Sequence, residues 1–181
     1  MLKKFSVTGF KNFADTVTID FSDVRDYRFH PECITDGIIN TAIIYGKNAV
    51  GKTNFGLALF DIVSHLTMNN VTPGLYDYYL NTDNERGYAS FEYVFRFGND
   101  EIIYGYNKSE KGSLCTERLM LNGILMFDNN FIVGVSGYKK GLVDLVPSLN
   151  WEHTSKGSDL KYFMQISIAH LYPMPPFSIA T

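Results

Sequence analysis

One eight-residue segment constrains the fold of this chain more than any other. It reads Gly46-Lys47-Asn48-Ala49-Val50-Gly51-Lys52-Thr53 and fits the pattern G-x-x-x-x-G-K-[ST], whose glycines let backbone N–H groups converge on a phosphate. An apolar, β-branched stretch at 38–45 precedes it and predicts a buried strand. Behind it, apolar residues at 55, 58, 59, 62, 63 and 66 follow helical spacing and predict one face of a helix. Strand, glycine loop and helix form the context that a phosphate-binding P-loop requires.

The motif assigns chemistry to its polar residues. A helix beginning near Lys52 directs unpaired N–H groups and the positive end of its dipole at a bound phosphate. Lys52 can reach the β- and γ-phosphates, and the hydroxyl of Thr53 can ligate Mg²⁺, which prefers oxygen ligands. We therefore expect a nucleoside triphosphate with Mg²⁺ at this loop.

Composition adds limits rather than a function. The chain has 181 residues, 45% hydrophobic and 19% charged, which is typical of one globular domain with a core. Its net charge of −3 gives no global signature of nucleic-acid binding. Cys33 and Cys115 are far apart in sequence and predict two free thiols. The N-terminus does not resemble a signal peptide and no apolar run is long enough for a membrane span, so we expect a cytoplasmic protein.

The pattern along the chain predicts several further strands. Alternation at 4–10 and at 16–21 predicts two antiparallel neighbours joined by a turn, and 22–36 is predicted as a loop. The helix after the motif is predicted to end near residues 69–70, and 71–86 to be irregular. Strands at 89–97 and 101–106 predict one hairpin, and strands at 117–121 and 124–127 around Asn122-Gly123 predict another. One helix followed by an antiparallel block differs from the strand–helix alternation of doubly wound folds.

This layout resembles the N-terminal lobe of ABC-type ATPases of the SMC, Rad50, RecF and OLD families, and especially bacterial AAA-family ATP-binding proteins related to OLD nucleases. The resemblance rests on the N-terminal segment, on the strand at 17–21, on the motif with its flanks and on the antiparallel block. The N-terminal segment is Phe5-Ser6-Val7-Thr8-Gly9-Phe10-Lys11-Asn12-Phe13, and the motif with its flanks is residues 43–54, ending on Asn54. The resemblance implies an α/β fold with α+β character: a P-loop NTPase lobe with a mixed sheet around the P-loop helix and an antiparallel β block.

The resemblance also implies further site residues and partners. Lys11 and Asn12 would approach the nucleotide, and Asn48 would brace the loop or reach the γ-phosphate of a nucleotide bound across a head-to-head homodimer. Asn54 falls within the matched motif. In the complete protein the ATPase would act in processes such as DNA repair or phage defence, with DNA as a further candidate partner.

Other parts of such an ATPase are not evident in the sequence. No Asp-Glu pair closes an apolar run as a Walker B motif would, and the nearest lookalike is Asp144. A signature helix is also missing, and the only glutamine is Gln165. Asp83 or Glu85 could substitute as a metal contact, although loop solvation is the simpler role. We therefore interpret 1–150 as the ATPase lobe and 151–181 as an incomplete or non-native tail of a truncated head, and catalytic residues stay unassigned.

Two other classes of function are considered. A GTPase or kinase is suggested by Asn107-Lys108-Ser109-Glu110, which resembles a guanine-reading motif, although no Asp-x-x-Gly sequence accompanies it. A non-enzymatic module that binds protein or DNA is suggested by the aromatic antiparallel block, although aromatics at strand spacing are more often core. His65, on the predicted helix, is interpreted as a surface residue.

Overall fold

The computed structural model describes residues 1–67, 74–110, 113–138 and 158. The elements are β1 (Leu2–Thr8), β2 (Val17–Asp20), a 3₁₀ turn (Pro31–Cys33), β3 (Ile34–Thr35), β4 (Ile38–Ile39), α1 (Lys52–Leu59), α2 (Asp61–Thr67), β5 (Ala89–Phe97), β6 (Asp100–Glu110), β7 (Ser113–Leu121), β8 (Ile124–Asn130) and β9 (Val135–Tyr138). The main element is a seven-stranded sheet with the order β2-β1-β5-β6-β7-β8-β9. Every strand pair in the described residues is antiparallel.

The predicted hairpins are confirmed. β1 pairs with β2, β5 with β6, and β7 with β8. Asn122 and Gly123 both have positive φ, 51° and 75°, which is the two-residue turn that Asn-Gly favours. β6 and β7 are longer than predicted, because alternation continues through their polar ends.

The core lies between one face of this sheet and the two helices. Phe5 on β1 and Tyr93 on β5 are fully buried and their ring centroids are 4.8 Å apart. Phe55 of α1 packs edge-on against Phe5 at 5.8 Å, and Ala58 one turn later is fully buried. The helix that follows the glycine loop is thus held against the sheet by its apolar face, as predicted for residues 55 and 58.

The predicted buried strand at 38–45 is wrong over most of its length. Only Ile38–Ile39 form a strand, paired with Ile34–Thr35 in a two-stranded sheet. Residues 41–45 have no regular secondary structure, and Ile43 and Tyr45 are 86% and 90% exposed. The parallel pairing that a mixed sheet needs is not present within the described residues, so the apolar side chains of this stretch have nothing to pack against there.

The predicted long helix is divided at Phe60. This residue has φ −90° and ψ 1°, which ends α1, and α2 begins at Asp61. The change of direction exposes Val63, which was predicted on the buried face, and turns Asp61 into the core. The predicted end of the helix at 69–70, Asp144, and the proposed domain boundary at 150 with the tail lie outside the described residues. No helix in the described part of the chain is long and apolar enough to cross a membrane.

Candidate functional site

The glycine loop leads directly into α1, which begins at Lys52. Ala49 and Gly51 have φ angles of 66° and 95°, so the backbone turns sharply before the helix starts. The N–H of Phe55 bonds back to the carbonyl of Gly51 at 2.8 Å. The N–H groups ahead of it lie at the positive end of the helix dipole, which is the arrangement that binds anions.

The side chain of Lys52 folds back over the loop. Its Nζ donates to the carbonyl oxygens of Gly46 at 2.8 Å and Lys47 at 2.7 Å. Both carbonyls belong to the start of the motif, whereas Lys52 lies near its end. The ammonium group of Lys52 therefore connects the two ends of the motif. A phosphate oxygen is a stronger acceptor than a carbonyl, so an incoming phosphate can replace these partners.

The other loop residues are open to solvent. Asn48 and Thr53 are exposed, and within the described residues the Thr53 hydroxyl makes no hydrogen bond, which leaves it available to a metal ion. A Cβ on Gly46 would lie 3.2 Å from Cγ2 of Val50, so glycine permits a close approach within the loop. The described residues contain no group of three or more His, Cys, Asp or Glu side chains suited to a metal.

Asn12 of the N-terminal turn lies against the glycine loop. Its Oδ1 accepts a hydrogen bond from Nδ2 of Asn54 at 2.8 Å. A Cβ built on Gly51 would lie only 2.3 Å from Nδ2 of Asn12. The structure therefore brings together two segments that are about 40 residues apart in sequence.

Lys11 points elsewhere. Its Nζ donates to the carbonyl of Asp77 at 2.8 Å and lies 5.8 Å from the centroid of the Phe10 ring. Partial burial lowers the pKa of Lys11, and the nearby Asp77 carboxylate opposes this effect. In this structure Lys11 is thus held beside the loop by residues of the 74–81 segment, and Asp83 and Glu85 remain exposed.

The sequence analysis missed a buried polar cluster beneath the helices. The carboxylate of Asp61 is fully buried and accepts from Nζ of Lys108 at 2.6 Å, Tyr106 OH at 2.9 Å and Tyr79 OH at 3.0 Å. Burial lowers the pKa of Lys108 and raises the pKa of both tyrosines. One signal was available: Lys108 continues the alternation of Tyr104 and Tyr106, which places it on the core face of β6.

The interpretation of His65 as a surface residue is wrong. Its Nε2 lies 2.8 Å from Tyr104 OH, and its ring stacks on Tyr106 with centroids 4.3 Å apart. Tyr104 OH donates to Oε1 of Glu117 at 2.6 Å, and Ser158 Oγ donates to the same atom at 2.6 Å. The side chain of His65 therefore docks α2 onto the sheet.

The geometry also corrects the guanine-reading alternative. Residues 107–110 belong to β6 rather than to a turn. Asn107 and Lys108 project to opposite faces of the sheet, because successive strand residues alternate. The ammonium of Lys108 is bound to Asp61 in the core, so the two side chains cannot read one base together.

Comparison with known proteins bears on the same part of the chain. A family model described as "AAA domain, putative AbiEii toxin, Type IV TA system" matches residues 42–110, which is less than half of the chain. No curated protein matches the sequence. The matched stretch contains the glycine loop, α1, α2, β5 and all of β6. The match therefore supports an AAA-type P-loop domain here, the class of domain that binds nucleotides.

Proposed function

We propose that this chain binds ATP with Mg²⁺ at residues 46–54, as the nucleotide-binding part of an ATPase head of the SMC/OLD-like type. One observation carries the proposal: Lys52 Nζ sits on the carbonyls of Gly46 and Lys47 while the N-terminus of α1 opens at the same loop. An ammonium group and a set of unpaired N–H groups at one point form a site for a polyphosphate. The family match over the same residues supports this assignment.

The binding chemistry follows from the described side chains. Phosphate oxygens would replace the two carbonyls as acceptors for Lys52, and the exposed hydroxyl of Thr53 would be a ligand for Mg²⁺. Asn12, already packed on Gly51, would border the same space. The head-to-head dimer involving Asn48 and the contact with DNA stay predictions from the resemblance.

We expect little or no hydrolysis by this chain alone. Hydrolysis needs a carboxylate that holds Mg²⁺ through water and orients the attacking water. The sequence has no Asp-Glu pair at the end of an apolar run, and Asp144 has no carboxylate after it. Binding and turnover are therefore separate measurements for this protein.

Nucleotide binding is tested by thermal unfolding of the full chain with and without Mg-ATP. At ligand concentrations ~100 times Kd, binding should add about 2.7 kcal/mol to the free energy of unfolding. Lys52→Ala should abolish this gain, because the loop loses its only ammonium that bonds across the motif in the described structure. Isothermal titration of both proteins gives the corresponding dissociation constants.

The matched control is Arg28→Ala, which also removes one positive charge. Arg28 is exposed in the 22–30 loop and makes no ion pair or hydrogen bond within the described residues. Its variant should keep the full gain. Absence of binding to the wild-type chain, or equal losses in both variants, contradicts the proposal. Equal binding of GTP and ATP would retain the phosphate site but remove ATP as its specific ligand.

A further inference from the structure

The C-terminal end of the P-loop helix is anchored by tyrosine hydroxyls. Tyr93 OH donates to the carbonyl of Ala58 at 2.9 Å, in the last turn of α1. Asp61, which begins α2, is fully buried and its Oδ1 accepts from Tyr79 OH at 3.0 Å. The hydroxyls of Tyr93 and Tyr106 come from the sheet, whereas Tyr79 belongs to the 74–81 segment.

The backbone around Tyr79 holds the N-terminal turn. The carbonyl of Tyr79 accepts from the N–H of Lys11 at 3.0 Å, and the N–H of Asn81 donates to Gly9 at 3.0 Å. The side-chain amide of Asn81 donates to the carbonyl of Lys11. The ring of Tyr79 also packs edge-on against Phe10 at 5.0 Å. Residues 77–81 therefore contact both the backbone and the side chains of the turn at 9–13.

The backbone conformation of the turn at 9–13 depends on these contacts with residues 77–81. Lys11 has φ 49°, a left-handed value that a non-glycine residue adopts at an energetic cost. Its N–H, carbonyl and Nζ are all bound by residues 77–81. The next residue, Asn12, packs on Gly51 and Asn54 of the loop and helix. A shift of the turn would therefore move Asn12 relative to the phosphate site.

We infer that Tyr79 is a positioning residue for the nucleotide site. Its hydroxyl donates to Asp61 at the start of α2, the helix that follows the P-loop helix, while its backbone carbonyl accepts from the N–H of Lys11, the neighbour of Asn12. Tyr79 therefore connects α2 to the turn at 9–13 and supports the direct hydrogen bond between Asn12 and Asn54. The expected effect on nucleotide binding rests on the proposed function. The contacts of Tyr79 with Asp61 and Lys11 are present in the protein without ligand.

The test compares Tyr79→Phe with Tyr106→Phe in the full chain. Both substitutions remove one buried hydroxyl that donates to Asp61 and keep the aromatic ring. Only Tyr79 lies on the segment that binds Lys11. Tyr79→Phe should weaken Mg-ATP binding about fivefold, the order expected for one hydrogen bond, and Tyr106→Phe should leave the affinity unchanged. Isothermal titration measures both.

A second measurement does not need nucleotide. Hydrogen exchange of the N–H groups of Lys11 and Asn81 should be faster in Tyr79→Phe than in Tyr106→Phe, even where both variants lose the same unfolding free energy. Asn81→Ala removes the hydrogen bond from the Asn81 side-chain amide to the carbonyl of Lys11, outside the core. It should have the same effect as Tyr79→Phe, and it takes the place of Tyr79→Phe in the test if that variant does not fold.

The outcomes separate the two proposals. A wild-type chain that binds no Mg-ATP overturns the proposed function and, with it, this role of Tyr79. Wild-type affinity retained by Tyr79→Phe overturns the positioning role alone. Equal changes in affinity and exchange for the two phenylalanine variants also overturn it, because they would reflect a general loss of stability.

Discussion

Two glycines five residues apart in the loop and α1 have different physical requirements. Gly51 has φ 95° and faces Asn12 so closely that a Cβ would overlap its amide nitrogen. Gly56 lies within α1, and a Cβ there would meet no atom within 4 Å. The first position needs glycine for both conformation and space, whereas the second needs neither.

This difference gives a residue-scale prediction. Gly51→Ala should abolish Mg-ATP binding, because the loop must change its backbone and displace Asn12. Gly56→Ala should keep binding and raise the free energy of unfolding by about 0.5–1 kcal/mol, the usual gain of alanine over glycine inside a helix. Titration with nucleotide and denaturant unfolding of the two variants check this. Binding by Gly51→Ala at wild-type affinity would show that the loop conformation is not needed.

At the scale of elements, α2 is docked by charge as well as by apolar packing. Asp61 and Lys108 form an ion pair with side chains 0% and 3% exposed. The pair is completed by the hydroxyls of Tyr79 and Tyr106, so the carboxylate has several donors. Such a pair costs desolvation to form, but removing one partner leaves the other charge buried and unpaired.

The corresponding prediction compares a buried and a surface ion pair. Asp61→Ala should lower the free energy of unfolding by about 3–5 kcal/mol, because the charge of Lys108 remains in the core. Glu101→Ala removes the partner of Lys3, where the side chains are 31% and 38% exposed, and should cost only about 0–1 kcal/mol. Denaturant unfolding gives both values. Similar losses in the two variants would mean that Lys108 reaches water once Asp61 is absent.

At the scale of the whole molecule, the described core contains several buried tyrosines. Four of them each donate a hydrogen bond through the hydroxyl: Tyr79, Tyr93, Tyr104 and Tyr106. Burial raises the pKa of each of these four phenols above the ordinary value of 10.0. Burial lowers the pKa of Lys108 from its ordinary 10.5. The stability of the fold is therefore linked to pH in the alkaline range.

The sign of this linkage favours alkaline unfolding. A tyrosine with a raised folded pKa contributes stability fully below pH 10.0, and this contribution is lost as the unfolded chain ionises above that value. Each such group contributes a slope of up to about −1.4 kcal/mol per pH unit. Lys108 and Lys11 act in the opposite direction, since their contributions rise as pH approaches 10.5, but they are two groups against four.

We therefore expect the free energy of unfolding to fall steeply above pH 10.0. Denaturant unfolding across this range measures the slope, and phenolate absorbance should show at least four of the 12 tyrosines ionising only when the chain unfolds. Substituting Tyr93 by phenylalanine removes one of these ionising groups. The dependence of the free energy of unfolding on pH should then weaken by the contribution of one proton. A stability that is independent of pH in this range would contradict the burial of these phenols.

Local sequence was sufficient where the structure depends on neighbours in the chain. The hairpin at Asn122-Gly123 follows from the left-handed preference of that dipeptide, and the start of α1 follows from the glycine loop. Alternation placed Phe91 and Tyr93 on the core face of β5, where both are buried. These features are decided within a few residues, so a pattern can predict them.

Tertiary structure decided what depends on distant segments. The stretch at 41–45 has the composition of a buried strand, but a strand needs a partner, and none lies among the described residues. Asp61 lies within the predicted helix and Lys108 follows the predicted strand at 101–106, yet folding brings them to 2.6 Å in the core. By itself the sequence determined a glycine loop ready for phosphate. Only the fold determined that Tyr79 would join the start of α2 to the turn beside that loop, because hydrogen bonds between remote segments have no signature in either segment alone.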